Sequence, residues 1–328
     1  MNNTKCLSST LGLSAIALTA AALTGCSSSS SSSSSPPTIS SDSTIQSSDL
    51  VQQGDDGYTY PTLDGAFTGG EAIEFALPST RIAIDDSGEV VDFSTPDESD
   101  TRLILAGDGH RIAVIRDGET LFTFTQDADD DPMFIGPGDS ELEAMAHNIE
   151  QSQIIPGELN YSQFGAWTDG ESELSNFYLG FRTDPGDMPT TGTASYSGGV
   201  QGFGVVGGNV SGAYDVIGSA TMSADFASGD VDGAFTNMGS GDGFEAAFAN
   251  RGNWNDVGFT GNINSNSFSG TTSVASPGAD GNPSAMDVDA SGIIQGHFFG
   301  PSAAEAAGIW SLQDDNNRVS GSFGAIRD

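Results

Sequence analysis

The stretch GIIQGHFFGPSAAEAAGIW at residues 292–310, followed by GSFGAIR at residues 321–327, decides the fold of this chain. In the first stretch, every second residue falls on one face of a β-strand, and that face carries Ile294, Gly296 and Phe298. Pro301 ends this strand because proline has no N–H to give to a β-ladder.

Two further strands complete this region. One begins at Ile309, and the turn formed by residues 314–317 leads to the other, in which Val319, Gly321, Phe323 and Ala325 alternate. The end of the chain is therefore predicted to be an antiparallel strand–turn–strand array.

The same residues resemble the closing signature of the transferrin-binding protein B family of bacterial surface lipoproteins. In that family G-x-F-[YF]-G-P-x-A-x-E-x-x-G-x-[FW] precedes a terminal G-x-F-G-A-x-R. The matching positions are Gly296, Phe298, Phe299, Gly300, Pro301, Ala303, Glu305, Gly308, Trp310, Gly321, Phe323, Gly324, Ala325 and Arg327. The resemblance concerns fold and broad class, since one fold hosts many ligands.

Further family elements occur upstream. Residues 160–167 resemble the opening barrel strand, Y-x-x-[FY]-G-x-W, and residues 177–181 resemble the next one. Residues 188–198 match the P-x-x-G-x-A-x-Y-x-G element, and residues 220–235 resemble the D-F-x-x-G hairpin. The resemblance implies an all-β fold, with a C-terminal eight-stranded antiparallel β-barrel at 156–328 preceded by a small β-rich domain.

The recurring Gly-x-Phe pairs have a physical explanation in such a barrel. Inward positions of a small closed barrel alternate large and small to fill its interior, and glycine permits the bends that closure needs. We therefore expect a row of phenylalanines to fill the core: Phe235, Phe259, Phe268, Phe298 and Phe323. The alternative is a ligand cavity of the lipocalin type, which eight strands can also enclose.

A filled interior places binding on loops at the barrel rim. The candidate rim loops are 184–188, 238–244, 251–256 and 276–285. One of them carries Arg251, Asn253 and Trp254, and Trp and Arg are the residues that interface hot spots favour. The other interpretation of Trp254 is that it begins a strand.

The first residues have the features of a targeting segment. Lys5 supplies a positive charge, and the apolar run from Leu11 to Leu23 is too short for a confident membrane span. Residues 23–26, Leu-Thr-Gly-Cys, match a bacterial lipobox. This predicts a signal peptide at 1–25 and lipidation (a palmitate-type acyl anchor) of Cys26, and the alternative is an ordinary secretory signal with an incidental cysteine.

A serine run at 27–35 and Pro36-Pro37 follow, so we expect a flexible tether at 26–50. Cys6 lies in the signal segment and Cys26 carries the lipid. The mature chain would then have no free thiol for a disulfide, a metal or catalysis.

The charge of the chain limits its partners. With Lys5 removed, eight arginines stand against 45 acidic residues. Nucleic acid and anionic lipid headgroups are therefore poor partners. Two explanations of the acidity remain open: solubility in a salty habitat, and a surface for a basic partner or divalent cations.

Residues 51–155 are predicted to form the small β-rich domain, comparable to the "handle" that precedes the barrel in the resembling family. Short strands are expected at 72–77, 81–84, 89–93, 103–105, 111–115 and 120–125. A linking helix is expected at 140–151, from the spacing of its apolar residues. The acidic run at Asp127 and 129–131 lacks the spacing of an EF-hand loop, which favours a solvated loop over a Ca²⁺ site.

Catalytic and cofactor motifs are absent from the sequence. His110, His147 and His297 are scattered, and no nucleophile elbow, H-E-x-x-H run or dinucleotide motif occurs. We expect His297 to be a surface residue. The sequence predicts a protein that is not an enzyme and needs no cofactor or metal.

The resemblance implies an outer-membrane, cell-surface lipoprotein that binds an extracellular protein or solute. In the family such a partner is an iron or haem carrier, delivered to a TonB-dependent receptor, and export uses a surface-lipoprotein translocon. Two alternatives from other classes are a structural or adhesive acidic coat protein without a small-molecule ligand, and a hydrolase.

Overall fold

The structure is a computed structural model. It describes residues 44–55, 57–63, 70–97, 101–107, 109–126, 133–137, 140–143, 158–170 and 172–328. The predicted signal peptide, Cys26, most of the predicted tether and the acidic run at Asp127 and 129–131 lie outside these residues. Within the described residues, no helix is both long and apolar enough to cross a membrane.

The N-terminal part is a β-rich domain, called the first domain below. Its strands are β1 (Thr44–Gln46), β2 (Gln52–Gly54), β3 (Gly57–Thr59), β4 (Ala72–Ala76), β5 (Ser79–Ile84), β6 (Val90–Asp97), β7 (Arg102–Leu105), β8 (Arg111–Arg116), β9 (Glu119–Gln126), β10 (Met133–Ile135), β11 (Glu141–Glu143), β12 (Ser162–Thr168) and β13 (Glu173–Gly180). The six strands predicted in this region correspond to β4–β9.

One sheet of the first domain has the strand order β1-β4-β7-β8-β9-β10-β11-β12-β13-β5-β6, and β2 pairs with β3 in a separate hairpin. Thr44–Gln46 pairs in parallel with β4, and a 3₁₀ turn at Ser47–Leu50 follows. Residues 44–50 of the predicted tether therefore belong to the first domain, with 44–46 at the edge of its sheet and 47–50 in the 3₁₀ turn.

The predicted start of the barrel at 156 is corrected by strands β12 and β13. They were expected to open the barrel, but β12 pairs with β11 and β13 pairs with β5. All eight residues of β13 are buried, since one face packs in the first domain and the other against the barrel. The barrel-like motif at 160–167 therefore builds the junction instead of the barrel wall.

The predicted linking helix at 140–151 is also corrected at its start. Glu141–Glu143 is a strand in which Leu142 lies opposite Trp167 and is 2% exposed. Burial of Leu142 in the sheet outweighs the weak helical preference of the local sequence. The remainder of the predicted helix lies outside the described residues.

The C-terminal part is a closed antiparallel barrel in which neighbours in sequence pair, and β14 also pairs with β21. Its elements are β14 (Thr193–Val206), β15 (Ala213–Asp225), β16 (Asp230–Gly241), α1 (Phe244–Ala249), β17 (Asp256–Asn264), β18 (Ser267–Ser276), β19 (Ser291–Phe299), β20 (Glu305–Gln313) and β21 (Asn317–Arg327), with a 3₁₀ turn at Val210–Gly212. The predicted all-β fold with a C-terminal eight-stranded barrel is confirmed.

The barrel interior is filled by aromatic rings. The five predicted core phenylalanines are each at most 3% exposed, and Trp254 and Trp310 join them. Phe235 lies 5.2–5.3 Å from the rings of Phe259, Trp310 and Phe323. This packing excludes the lipocalin-type cavity that was the alternative.

Each of several rings lies over a glycine of the neighbouring strand. Phe268 pairs with Gly296, and Phe259 pairs with Gly233. A Cβ at Gly296 would collide with the Phe268 ring and with the Ala307 carbonyl oxygen. The Gly-x-Phe pattern of the sequence thus records a cross-strand fit between a ring and the space left by a missing side chain.

Gly296→Ala should lower the free energy of unfolding by about 1–3 kcal/mol, since the added methyl overpacks the core. The matched control is Gly258→Ala, whose added Cβ would meet only the Ala275 methyl at an ordinary 3.5 Å. Urea denaturation of both variants checks this. Equal stability of the two would contradict the proposed ring–glycine fit.

Candidate functional site

The connections of the barrel divide into two ends. The β14–β15, β16–β17, β18–β19 and β20–β21 connections lie at one end, called the long-loop end below. Three of the predicted rim loops, 238–244, 251–256 and 276–285, belong to it. The fourth, 184–188, lies at the opposite end, where the Ser302 N–H donates to Asp187 at 2.9 Å.

Arg251 follows α1 at the long-loop end and lies against the barrel wall. Its Nη2 donates to Ser219 Oγ at 2.6 Å, and its Nε donates to the Asn237 carbonyl oxygen at 3.3 Å. Its guanidinium also lies 5.9 Å from the centre of the Phe248 ring. Partial burial lowers the pKa of Arg251 from its usual value. Arg251 therefore ties the loop to β15 and β16.

Asn253 and Trp254 shape the same loop from within. The Asn253 side-chain oxygen accepts the N–H of Ser240 at 2.9 Å. Trp254 is 2% exposed, and its Nε1 donates to the Ser284 carbonyl oxygen at 2.7 Å. The expectation that Trp254 presents a contact surface is therefore corrected, because its ring closes the end of the barrel core. A binding role for this loop stays a prediction.

The 277–290 connection is held tightly over the same end of the barrel. Asn255 pairs with the backbone of Met286 in both directions, at 2.7 and 3.0 Å. Asn282 donates to the Asn253 carbonyl oxygen at 2.9 Å. The loop nevertheless exposes Val288, at 75%, between two exposed aspartates. The long-loop end is thus a fixed, acidic platform.

His297 was expected at the surface and is buried instead. It points outward from the barrel as predicted, but strand β13 of the first domain covers it, so that it is 4% exposed. Its Nδ1 lies 2.8 Å from the hydroxyl oxygen of Tyr178. His110 pairs with Gln126 at 2.7 Å, and His147 lies outside the described residues. No group of three His, Cys, Asp or Glu suited to a metal occurs among the described residues.

Glu305 joins the two domains through a buried carboxylate. It is 2% exposed at the start of β20. Its oxygens accept the N–H groups of Asn160 at 2.6 Å, Tyr161 at 3.1 Å and Ser162 at 2.9 Å, and the Ser162 hydroxyl at 2.7 Å. Burial raises the pKa of Glu305, and these hydrogen bonds oppose that shift.

A second buried polar network continues the junction. Gln201 Nε2 of β14 donates to Asn176 Oδ1 of β13 and to Ser322 Oγ of β21, each at 2.8 Å. Thr80 of β5 donates to Ser320 Oγ at 3.1 Å. These groups are satisfied only when the two domains are docked, which makes the junction specific.

Comparison with known families and structures identifies the barrel. Residues 188–327 match a family model described as the C-lobe and N-lobe β-barrels of Tf-binding protein B. The barrel is therefore similar to the barrels of the transferrin-binding protein B family. The match begins at Met188 and so agrees with the observed first barrel strand, β14, instead of the predicted boundary at 156.

Solved structures with a similar arrangement include a transferrin-binding protein B double mutant from Haemophilus parasuis, at 19% identity and TM-score 0.46 over 77% of this chain and 45% of that chain. Transferrin-binding protein B from Neisseria meningitidis gives 19% and 0.38 over 77% and 44%. The haemoglobin receptor HpuA from Kingella denitrificans gives 17% and 0.40 over 79% and 87%.

The chain spans less than half of the length of these transferrin-binding protein B chains. A comparison with curated proteins finds no match.

The closing motif of the sequence has a structural role in this barrel. Gly300 has a positive φ of 68° and lies against the Tyr161 ring, so a side chain there would be strained and would clash. Glu305 captures the backbone at 160–162. The closing motif therefore builds the junction between the domains as well as the barrel wall.

Replacing Glu305 by glutamine should change the pH dependence of stability. The pKa of Glu305 is raised above 4.5 in the folded state, so the folded protein binds this proton more readily than the unfolded chain. The contribution of Glu305 to wild-type stability should fall as pH rises from 4.5 through its folded-state pKa. Relative to wild type, Glu305→Gln should gain stability over the same interval in urea titrations.

The exposed Glu158→Gln variant corrects for the change in net charge. Glu305→Ala should cost about 3 kcal/mol or more, because it leaves the N–H groups of residues 160–162 buried without an acceptor. If Glu305→Ala were as stable as wild type, the Glu305 carboxylate would not stabilise the contact between the two domains.

Proposed function

We propose that this protein is a lipid-anchored protein of the outer membrane that faces the cell exterior and binds an extracellular protein during iron or haem acquisition. The observation that carries the proposal is the match of residues 188–327 to the barrels of Tf-binding protein B. Cys26, in its lipobox, is the proposed site of lipidation, and the serine-rich residues after it are the proposed tether.

The packed barrel supports binding at the outside of the molecule. Aromatic rings occupy the interior, so a ligand must meet loops or outer faces. A protein partner suits the long-loop end because that end is held in shape before binding, which lowers the entropic cost of association. Its exposed acids, Asp280, Asp287 and Asp289, favour a partner with a basic surface.

The proposed function also involves a receptor that receives the bound carrier and a translocon that exports the lipoprotein. The bound carrier would be passed to a TonB-dependent receptor, and the lipoprotein would reach the surface through a translocon. The protein acts by binding and performs no catalysis. The loop with Arg251 and Asn253 is the proposed edge of the partner surface, while Trp254 supports that loop from inside.

A structural or adhesive role is the second candidate. The observation that favours it is the composition, with 45 acidic residues against 9 basic ones and a continuous serine run. Such a surface stays hydrated and resists association. This role predicts no saturable ligand, and the proposed carrier function predicts one.

Protease treatment of intact cells tests the location. The barrel should be degraded while the outer membrane is intact, because the protein faces outward. Cys26→Ala should release the protein from the membrane fraction, whereas Cys6→Ala, in the discarded segment, should leave it there. Protection of the barrel until the membrane is permeabilised would overturn the surface assignment.

Titration of the purified chain with transferrin and with haemoglobin tests the partner. Saturable binding should weaken at high salt, since the rim charges are exposed. Asp287→Lys with Asp289→Lys should weaken it by about tenfold or more, and Asp230→Lys, at the opposite end of the barrel, should not. If neither protein nor any other secreted protein binds a surface-exposed chain, the adhesive role is the correct one.

A further inference from the structure

Residues 44–62, called the strap below, lie on the surface of the first domain between the proposed tether and the core. None of the strap side chains that the structure describes is buried, whereas the next residue, Leu63, is 5% exposed. We infer that the strap detaches as one unit when the tether is pulled, and so lengthens the connection between the lipid anchor and the folded protein.

The strap begins with the short strand β1. This strand adds three residues to the edge of the sheet, in parallel with β4. The Thr44 hydroxyl donates to Glu74 at 3.4 Å, and Arg102 donates to the same carboxylate at 2.9 Å. In the 3₁₀ turn and just after it, Leu50 and Val51 pack against the first-domain core but stay partly exposed. A three-residue edge strand offers few hydrogen bonds to resist tension.

The hairpin of β2 and β3 forms the middle of the strap. Its two strands pair with each other and with no other described strand, and an isolated two-stranded hairpin is marginally stable. Tyr60 follows the hairpin, and its hydroxyl donates to Asp187 at 3.0 Å and accepts the Asp184 N–H at 2.9 Å. The Tyr58 hydroxyl also bonds the Asp184 side chain. These tyrosines therefore fasten the strap to the 184–188 loop.

Leu63 marks the point where detachment stops. Its side chain belongs to the first-domain core, and its N–H donates to the Asn160 carbonyl oxygen at 2.7 Å. The Asn160 N–H in turn donates to the buried Glu305 carboxylate at 2.6 Å. Tension that passes the strap therefore meets the core and the junction, which open at a much higher free energy.

The order of contacts along the chain explains why the strap yields first. Tension on the tether reaches β1, then the 3₁₀ turn, then the hairpin, so the contacts break one after another. Ordering each strap residue costs conformational entropy, and partly exposed side chains offset little of this cost through burial. Once detached, the 19 residues of the strap span at most about 65 Å.

The role of the strap rests on the proposed lipid anchor at Cys26, because only an anchored tether carries tension. A longer tether would extend the distance over which a bound carrier can be passed to the proposed receptor. Detachment itself is a property of the purified chain. Its measurement therefore does not depend on where the protein is located or on which partner it binds.

Hydrogen exchange of the purified chain tests whether the strap opens as one unit. Amides of β1 and β3 should exchange at least about a hundredfold faster than those of β14 and β21. Tyr60→Phe removes the hydroxyl contacts with the 184–188 loop, and it should speed exchange in β1 as well as in β3. The matched control is Tyr214→Phe, which removes a tyrosine hydroxyl at the long-loop end of the barrel and should leave exchange in the strap unchanged.

Optical tweezers test detachment under tension. One handle is attached to the Cys26 thiol of an unlipidated chain without the signal segment, and the other to a cysteine introduced by Ser273→Cys at an exposed position of β18. A first extension of at most about 65 Å should precede the unfolding of either domain, and Tyr60→Phe should lower the force at which it occurs.

Three results would overturn the inference: β1 and β3 are protected as strongly as the barrel, Tyr60→Phe speeds exchange in β3 alone, or a domain unfolds before the first extension. The fractionation of Cys26→Ala tests the anchor separately, so the strap and the proposed location fail on different measurements.

Discussion

The closed barrel depends on the fit between phenylalanine rings and the glycines of neighbouring strands. Eight strands enclose a space too small for a full set of large side chains and too large for small ones alone. Pairs such as Phe268 with Gly296 fill this space, because each ring occupies the room left by a glycine on the neighbouring strand. Because the interior is filled in this way, chemistry and recognition are confined to loops and outer faces.

Part of the outer face of the barrel is exposed to water, and part is covered by the first domain. Strand β13 is buried on both faces, which is unusual for a strand of an antiparallel sheet with a solvated side. The junction combines apolar packing, as between Tyr178 and Phe299, with buried polar groups that have partners, as between Asn176 and Gln201. A junction of this kind fixes orientation more strictly than an apolar contact, since a small shift would leave several buried groups unpaired.

The sequence predicted the barrel well because its signals are local. Alternation along strands and the Gly-x-Phe spacing identified the core phenylalanines directly. The boundary at 156 was wrong because a strand's own residues do not determine which sheet it joins: the motif at 160–167 is equally compatible with a barrel wall and with β12.

The wrong predictions for His297 and Trp254 have the same cause: local sequence does not show which distant residues will pack against a side chain. His297 does alternate outward, yet the strand that buries it lies more than a hundred positions earlier in the chain. Trp254 follows a loop and is nevertheless part of the core, because the end of the barrel must be closed. Glu305 was recognised as part of a motif, but its acceptor role depends on partners 143–145 positions away.

The closure of the barrel also governs when the chain can fold. Strand β14 is completed only by β21, so that Val200 must find Phe323 near the very end of the chain. In the first domain, β5 likewise pairs with β13, which comes much later in the chain. Contacts of such long range make folding slow. During synthesis, one edge of β14 therefore stays unpaired until β21 has been made, so the barrel cannot close before that point.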